Sequence, residues 1–119
     1  MKRFNFKHLF EGLYSLSKRE GLRVPLLYSV SKNMFLMEDE YKSIIAGLKP
    51  WFEYEEILSK LSGDEYTEYK SNNTDLIDQI EIFMNGDIEF KPIKISYDLF
   101  PEDVLDTFDK MSFWMPILE

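Results

Sequence analysis

The most constraining feature of the chain is an apolar series at alternating intervals of three and four residues between positions 27 and 48. Such intervals place side chains on one face of an α-helix, so they predict a long amphipathic helix over residues 25–47. Pro25 fits the first turn of that helix, where a missing N–H group costs nothing, and Gly47 and Pro50 mark its end. The series consists of Leu27, Val30, Met34, Met37, Tyr41, Ile44 and Leu48.

Three further segments show helical spacing of apolar residues: 5–19, 51–62 and a stretch from Thr74 to about Asn85. A short connection containing Gly21 joins the first of them to the long helix. The regular spacing in both helices favours nearly antiparallel packing, which predicts an αα-hairpin. The apolar face of the first helix consists of Phe6, Leu9, Leu13 and Leu16.

The remaining stretches lack a simple helical pattern. Residues 63–73 are polar and acidic without a clean period, so we expect an exposed acidic loop, with room for a short helical turn. Residues 87–97 alternate apolar and polar side chains around Lys91-Pro92, which predicts a short extended arm or an edge strand. A last helix is expected from Pro101, with an apolar face of Val104, Leu105, Phe108 and Met111.

The predicted fold is mainly α: a small helical bundle built on the αα-hairpin, with a short extended or β segment near residues 87–97. One domain over residues 1–119 accounts for a length that builds a single core. The apolar end 113–118 is expected in that core rather than in a docking segment. Phe35 lies off the main face of helix 25–47, so we expect this helix at the centre of the bundle, or otherwise at an interface.

The residue types argue against common kinds of catalysis. The chain has no cysteine, so thiolate metal sites and cysteine nucleophiles are excluded. Its glycines are isolated, which excludes a glycine-rich phosphate loop, and its single histidine, His8, has no nucleophile nearby in the sequence. Clustered carboxylates such as Glu38, Asp39 and Glu40 are typical of a solvated face. We therefore expect no enzyme activity, no cofactor and no metal.

Charge is divided unevenly along the chain. Residues 1–32 carry seven basic and two acidic residues, whereas the remaining 87 residues carry seven basic and twenty acidic ones, for a net charge of −8. The acidic part of the chain argues against direct nucleic-acid binding as the main function, because phosphate contacts need positive charge. The acidic part favours a protein partner with a basic surface. No apolar run is long enough to span a membrane, and we expect a cytoplasmic protein without a membrane partner.

The candidate partner-binding residues combine carboxylates with aromatic rings. Tyr66 and Tyr69 stand among acidic residues in 63–73, and such alternation suits a basic groove on another protein. Acidic residues of the preceding predicted helix extend the same set. An ordinary solvated loop is the alternative interpretation. The candidates are Glu53, Glu55, Glu65, Tyr66, Glu68 and Tyr69.

One segment carries a resemblance. The run from Val24 to Asn33, followed by the charged stretch Met37 to Lys42, resembles small uncharacterised proteins of tailed phages. The extended stretch 88–95, the acidic segment 101–109 and the apolar end are similar as well. The resemblance implies a phage or prophage origin, in the host bacterial cytoplasm or in a virion, and assigns no activity and no site residue.

Two function hypotheses follow. The first is a small acidic, non-enzymatic inhibitor or adaptor that binds a host machine, such as an anti-defence protein directed against a nuclease with a basic channel. The second is a virion or assembly component, such as a tail- or head-assembly chaperone. The apolar end 113–118 and the wide apolar surface of helix 25–47 support the second hypothesis and are compatible with a homo-oligomer.

Overall fold

The computed structural model describes all residues, 1–119, and contains six α-helices and no β-strand. This confirms the mainly helical bundle expected from the sequence. Three short 3₁₀ turns lie near the C-terminus, at Tyr97–Leu99, Glu102–Val104 and Met115–Ile117. The helices are α1 (Arg3–Ser17), α2 (Val24–Gly47), α3 (Lys49–Ser59), α4 (Gly63–Asn72), α5 (Thr74–Met84) and α6 (Phe108–Trp114).

Helices α1 and α2 form the predicted hairpin and supply much of the core. Gly21 in their connection has a φ of 76°, a left-handed conformation that glycine adopts without strain. The buried face of α2 begins one residue earlier than predicted, because Leu26 is buried and Leu27 is 40% exposed. All four residues predicted for the α1 face are buried: Phe6, Leu9, Leu13 and Leu16.

The segment 88–96 follows α5 and packs across α2 without forming a strand. Isolated β-bridges lie next to it and near its end, between Lys2 and Asp87 and between Ile95 and Leu118. The completely buried side chain of Asn33 anchors its middle. Asn33 Nδ2 donates to the Ile93 carbonyl oxygen (3.0 Å), and Asn33 Oδ1 accepts from the Ile93 N–H (2.8 Å). The Asn33 amide thus forms the two hydrogen bonds that a neighbouring strand would form with the Ile93 backbone.

The C-terminal region departs from the single helix expected from Pro101. The 3₁₀ turn Glu102–Val104 ends early, and the chain becomes extended at Thr107, whose hydroxyl caps α6 by accepting from the Lys110 N–H (3.2 Å). This restart changes the helix phase, so Phe108 is 83% exposed instead of joining the apolar face. Of the apolar end 113–118, Trp114 and Ile117 are buried as expected, whereas Met115 is 64% and Phe113 is 39% exposed.

The molecule is elongated, with extents of 52 × 28 × 23 Å and a radius of gyration of 17.6 Å. A compact chain of this length has a radius of gyration of about 13–14 Å. Helices α3, α4 and α5 (residues 49–84), which we call the α3–α5 unit, contact one another, and α3 and α5 also contact the hairpin. Only Tyr54 of this unit is buried. The unit is therefore thinly packed in comparison with the hairpin.

The prediction of a loop over 63–73 was wrong, because this segment forms the ten-residue helix α4. No α4 side chain is buried, so the helix has no apolar period that a pattern search would detect. Charge placement favours the helix instead: Asp64 and Glu65 lie in its first turn and Lys70 in its last, which suits the helix dipole. The prediction that the segment is exposed and acidic is confirmed.

Candidate protein-binding surface

The six predicted partner-binding residues lie on α3 and α4, but they do not form one continuous cluster. Glu53 and Glu55 are two residues apart on α3 and therefore point to different sides of the helix. On α4, Glu65, Tyr66 and Glu68 are exposed. The structure gives the sixth residue, Tyr69, a packing role, because its ring stacks on the buried ring of Tyr54 with 5.5 Å between centroids.

The charge of the α3–α5 unit is strongly negative. Its 36 residues contain nine acidic and three basic side chains, so it carries −6 of the net charge of −8. All nine carboxylates are exposed, and only Glu56 is ion-paired, with Lys60 at 3.6 Å. Eight carboxylates therefore remain free to interact with a cationic surface. The unpaired ones are Glu53, Glu55, Asp64, Glu65, Glu68, Asp75, Asp78 and Glu81.

An open groove of about 550 Å³ lies where α1, α3 and α5 meet. Its apolar lining includes partly exposed rings, since Phe4 is 52% and Phe52 is 42% exposed. Glu55 and Glu81 contribute carboxylates, while Lys7 is held by Glu11 at 3.1 Å. The groove is lined by Phe4, Lys7, His8, Leu48, Trp51, Phe52, Glu55, Ile77, Ile80, Glu81, Met84 and Asn85.

Of the six partner-binding residues predicted from the sequence, only Glu55 lines this groove. The other lining residues were missed because the groove joins the first helix to the fifth, and no local pattern reports such a contact. His8 is exposed on α1 with its ring edge against Phe4, 4.4 Å between centroids. Phe4 and His8 also line a second groove, of about 620 Å³, formed with Phe113 and Pro116.

The outer face of α2 is uncovered. The expectation that α2 is the central helix was wrong, because one face of its first half carries large exposed side chains; the alternative, an interface, stays a prediction. Val24, Tyr28 and Phe35 are 79%, 64% and 77% exposed. Large apolar side chains on the exposed side of a helix are a feature of binding surfaces.

Two tyrosines have unusual surroundings. The Tyr41 hydroxyl donates to Glu11 Oε2 (3.0 Å), and its ring stacks on Phe10 with 4.1 Å between centroids. Burial, the hydrogen bond and the negative charge of Glu11 together raise the pKa of Tyr41 from 10.0 to about 12. The buried Tyr54 hydroxyl has no hydrogen-bond partner within the protein. The only ionisable group that contacts the Tyr41 hydroxyl is the Glu11 carboxylate, which is itself paired with Lys7.

The structure contains no group of three or more histidine, aspartate or glutamate side chains placed to hold a metal ion. None of its helices is long and apolar enough to cross a membrane. Two surfaces are candidates for binding another protein: the acidic α3–α5 unit with its groove, and the uncovered face of α2. Comparison with protein-family models, curated proteins and solved structures found no match to this chain.

Proposed function

We propose that this protein is a non-enzymatic binding protein that acts on a protein partner with a basic surface, as an inhibitor or adaptor of a host machine. The observation that carries the proposal is the set of eight exposed, unpaired carboxylates on the α3–α5 unit. The apolar groove beside them gives the same region a surface that a partner side chain can fill. The phage origin implied by the resemblance makes a host defence protein a suitable target.

The proposed mechanism is occlusion by complementary charge and shape. The negative field of the unit accelerates encounter with a cationic cleft, and the carboxylates near the contact then orient the complex. The screening length is about 8 Å at physiological ionic strength, so only carboxylates close to the partner contribute strongly. Binding should therefore weaken as salt increases. Apolar contact in the groove should supply the part of the affinity that salt does not remove.

The test is affinity capture from a bacterial host lysate at low and high salt, with mass spectrometry of the retained proteins. The test variant carries Glu53→Gln, Glu55→Gln, Glu65→Gln and Glu68→Gln. The matched control carries four exposed glutamates outside the unit changed in the same way, so that its net charge is identical. The control positions are Glu20, Glu89, Glu102 and Glu119.

The proposal predicts a partner that wild type and control retain at low salt, that high salt releases, and that the test variant does not retain. Equal loss in both variants would show that net charge alone drives the capture. Unchanged capture by the test variant would place the binding surface elsewhere. Circular dichroism of each variant checks that the helices are intact.

A second candidate function is a virion or assembly component, and the uncovered face of α2 favours it. A chaperone or structural part must bury such a face against another protein, whereas a monomeric inhibitor need not. Capture of phage structural proteins that survives high salt would support this function, because apolar contacts are insensitive to charge screening. Release of these proteins by Phe35→Ser would identify α2 as the surface.

A further inference from the structure

The uncovered face of α2 has a regular pattern. Val24, Tyr28, Ser31 and Phe35, which we call the outer stripe, follow one another at intervals of four, three and four residues. All four are exposed, and they lie on the side of α2 opposite the buried Leu26, Val30 and Asn33. The same spacing defines the contact seam of a two-helix coiled coil.

The outer stripe is confined to the first half of α2. The next positions in the same spacing are Glu38 and Lys42, which form an ion pair with each other at 3.1 Å. The apolar seam therefore covers only about twelve residues, or about 18 Å at 1.5 Å per residue. A longer seam would be expected for a coiled coil that forms on its own. The outer stripe fits a contact between two already folded molecules.

We propose that the outer stripe is the interface of a homodimer in which the α2 helices of two copies pack antiparallel. In this arrangement Val24 of one copy lies opposite Phe35 of the second copy, and Tyr28 lies opposite Ser31. Each layer pairs a larger side chain with a smaller one, so the seam fills without a gap or a clash. Because the contact is two-fold symmetric, each of the two residue pairs occurs twice, which gives four layers of side chains in total.

Parallel pairing of the two α2 helices packs the outer stripe less evenly. It places Phe35 against Phe35 and Ser31 against Ser31, which gives one crowded and one empty layer. It also sets the two acidic α3–α5 units side by side, since each unit follows the C-terminal end of its α2. Antiparallel pairing centres the contact between residues 29 and 30. Each α3–α5 unit then begins about 30 Å from the centre along the helix, far beyond the screening length.

The area supports a dimer of modest affinity. Val24, Leu27, Tyr28 and Phe35 together expose roughly 500 Å² per copy, at about 200 Å² for a fully exposed large side chain. Two copies therefore bring together about 1,000 Å² of apolar area, to which neighbouring residues such as Lys32 and Met34 add a rim. Stable interfaces bury about 1,200–2,000 Å² in total. The four side chains alone fall just short of this range and reach its lower end only with the rim, so the population of the dimer depends on concentration.

The first measurement is sedimentation of the full chain over a range of concentrations. Wild type should shift from monomer to dimer as concentration rises, and Phe35→Ser should raise the dissociation constant at least about tenfold. The matched control is Phe108→Ser, because Phe108 is 83% exposed on α6 and outside the stripe. A monomer at every concentration, or equal effects of both substitutions, would overturn the proposal.

The second measurement fixes the direction of the helices. The chain has no cysteine, so a single introduced one reports on its own position. With a short bifunctional maleimide, Ser31→Cys should cross-link between copies, because the two sites lie close to the dimer centre. Lys42→Cys should not, because antiparallel pairing separates its two copies by about 37 Å along the helix. Cross-linking of Lys42→Cys, or no cross-linking of Ser31→Cys, would overturn antiparallel pairing.

Discussion

Removal of the Asn33 side chain tests how the segment 88–96 is held. In Asn33→Ala, the Ile93 N–H and carbonyl groups lose their only identified hydrogen-bond partner within the protein. The Ser29 carbonyl, which lies within α2, loses the hydrogen bond from the Asn33 side chain. An unpaired buried backbone group costs about 1–3 kcal/mol. Ile93 is only half-buried, so the lower part of that range applies to each group. We expect the free energy of unfolding to fall by about 2–4 kcal/mol.

Urea denaturation followed by tryptophan fluorescence measures this loss, since Trp114 is buried in the core. Typical domains have a total stability of about 5–15 kcal/mol, so the expected change is large. Asn5→Ala is the control, because Asn5 is exposed on α1. A second readout is hydrogen exchange, in which the Ile93 amide should lose its protection before the amides of α2.

Two results would refute this reasoning. A loss below about 1 kcal/mol for Asn33→Ala would show that the Ile93 groups find other partners or water at little cost. Unchanged exchange of the Ile93 amide would show that the amide bridge does not limit the opening of the segment. Asn33→Asp provides a further check, since it keeps the acceptor for the Ile93 N–H but buries a charge facing the Ile93 carbonyl. It should be at least as destabilising at pH 7.

Three further predictions concern single contacts. The raised pKa of Tyr41 means that the folded state holds the phenolic proton more tightly than the unfolded state, so the contribution of this group to the free energy of unfolding is complete below pH 10 and is lost towards pH 12. Thermal melts of wild type should show this loss of stability, and Tyr41→Phe should lack it. Gly12→Ala places a methyl group 2.6 Å from the Phe113 ring and should lower the free energy of unfolding by about 1 kcal/mol, although alanine has the better helix propensity. Urea denaturation measures this loss, and it should disappear when Phe113→Ala is combined with Gly12→Ala. Thr107→Ala removes the cap of α6 and should lower the free energy of unfolding by about 1 kcal/mol in the same assay, whereas no change would mean that α6 begins without it.

The hairpin was predictable because its helices bury one face each. Along α1 the four residues of the predicted apolar face, Phe6, Leu9, Leu13 and Leu16, recur with the helical period and all enter the core, so the local pattern and the tertiary packing agree. On α2 the pattern located the helix but misplaced part of its buried face. Asn33 was missed because a polar residue was not expected in the core, although it follows Leu26 and Val30 at intervals of four and three. That spacing was the signal.

The α3–α5 unit was harder to predict because its helices bury almost no side chains. Helix α4 buries no side chain, so its helical state depends on charge placement at its ends and on the stack of Tyr69 on Tyr54 rather than on an apolar period. The groove formed by α1, α3 and α5 depends on contacts between residues far apart in the chain. Composition identified the acidic character of the region, but only the tertiary structure places Glu55 and Glu81 beside an apolar groove.

The two proposals have a joint consequence because they use opposite regions of the molecule. The proposed dimer contact lies on the first half of α2, whereas the proposed partner surface begins after its last residue, Gly47. Antiparallel pairing therefore leaves both α3–α5 units accessible at the two ends of the dimer. If a partner has two basic sites at a matching distance, its binding to the dimer becomes bivalent and exceeds the affinity of one unit. Phe35→Ser would then weaken binding to such a partner without touching the acidic surface, and it would leave binding to a single basic site unchanged.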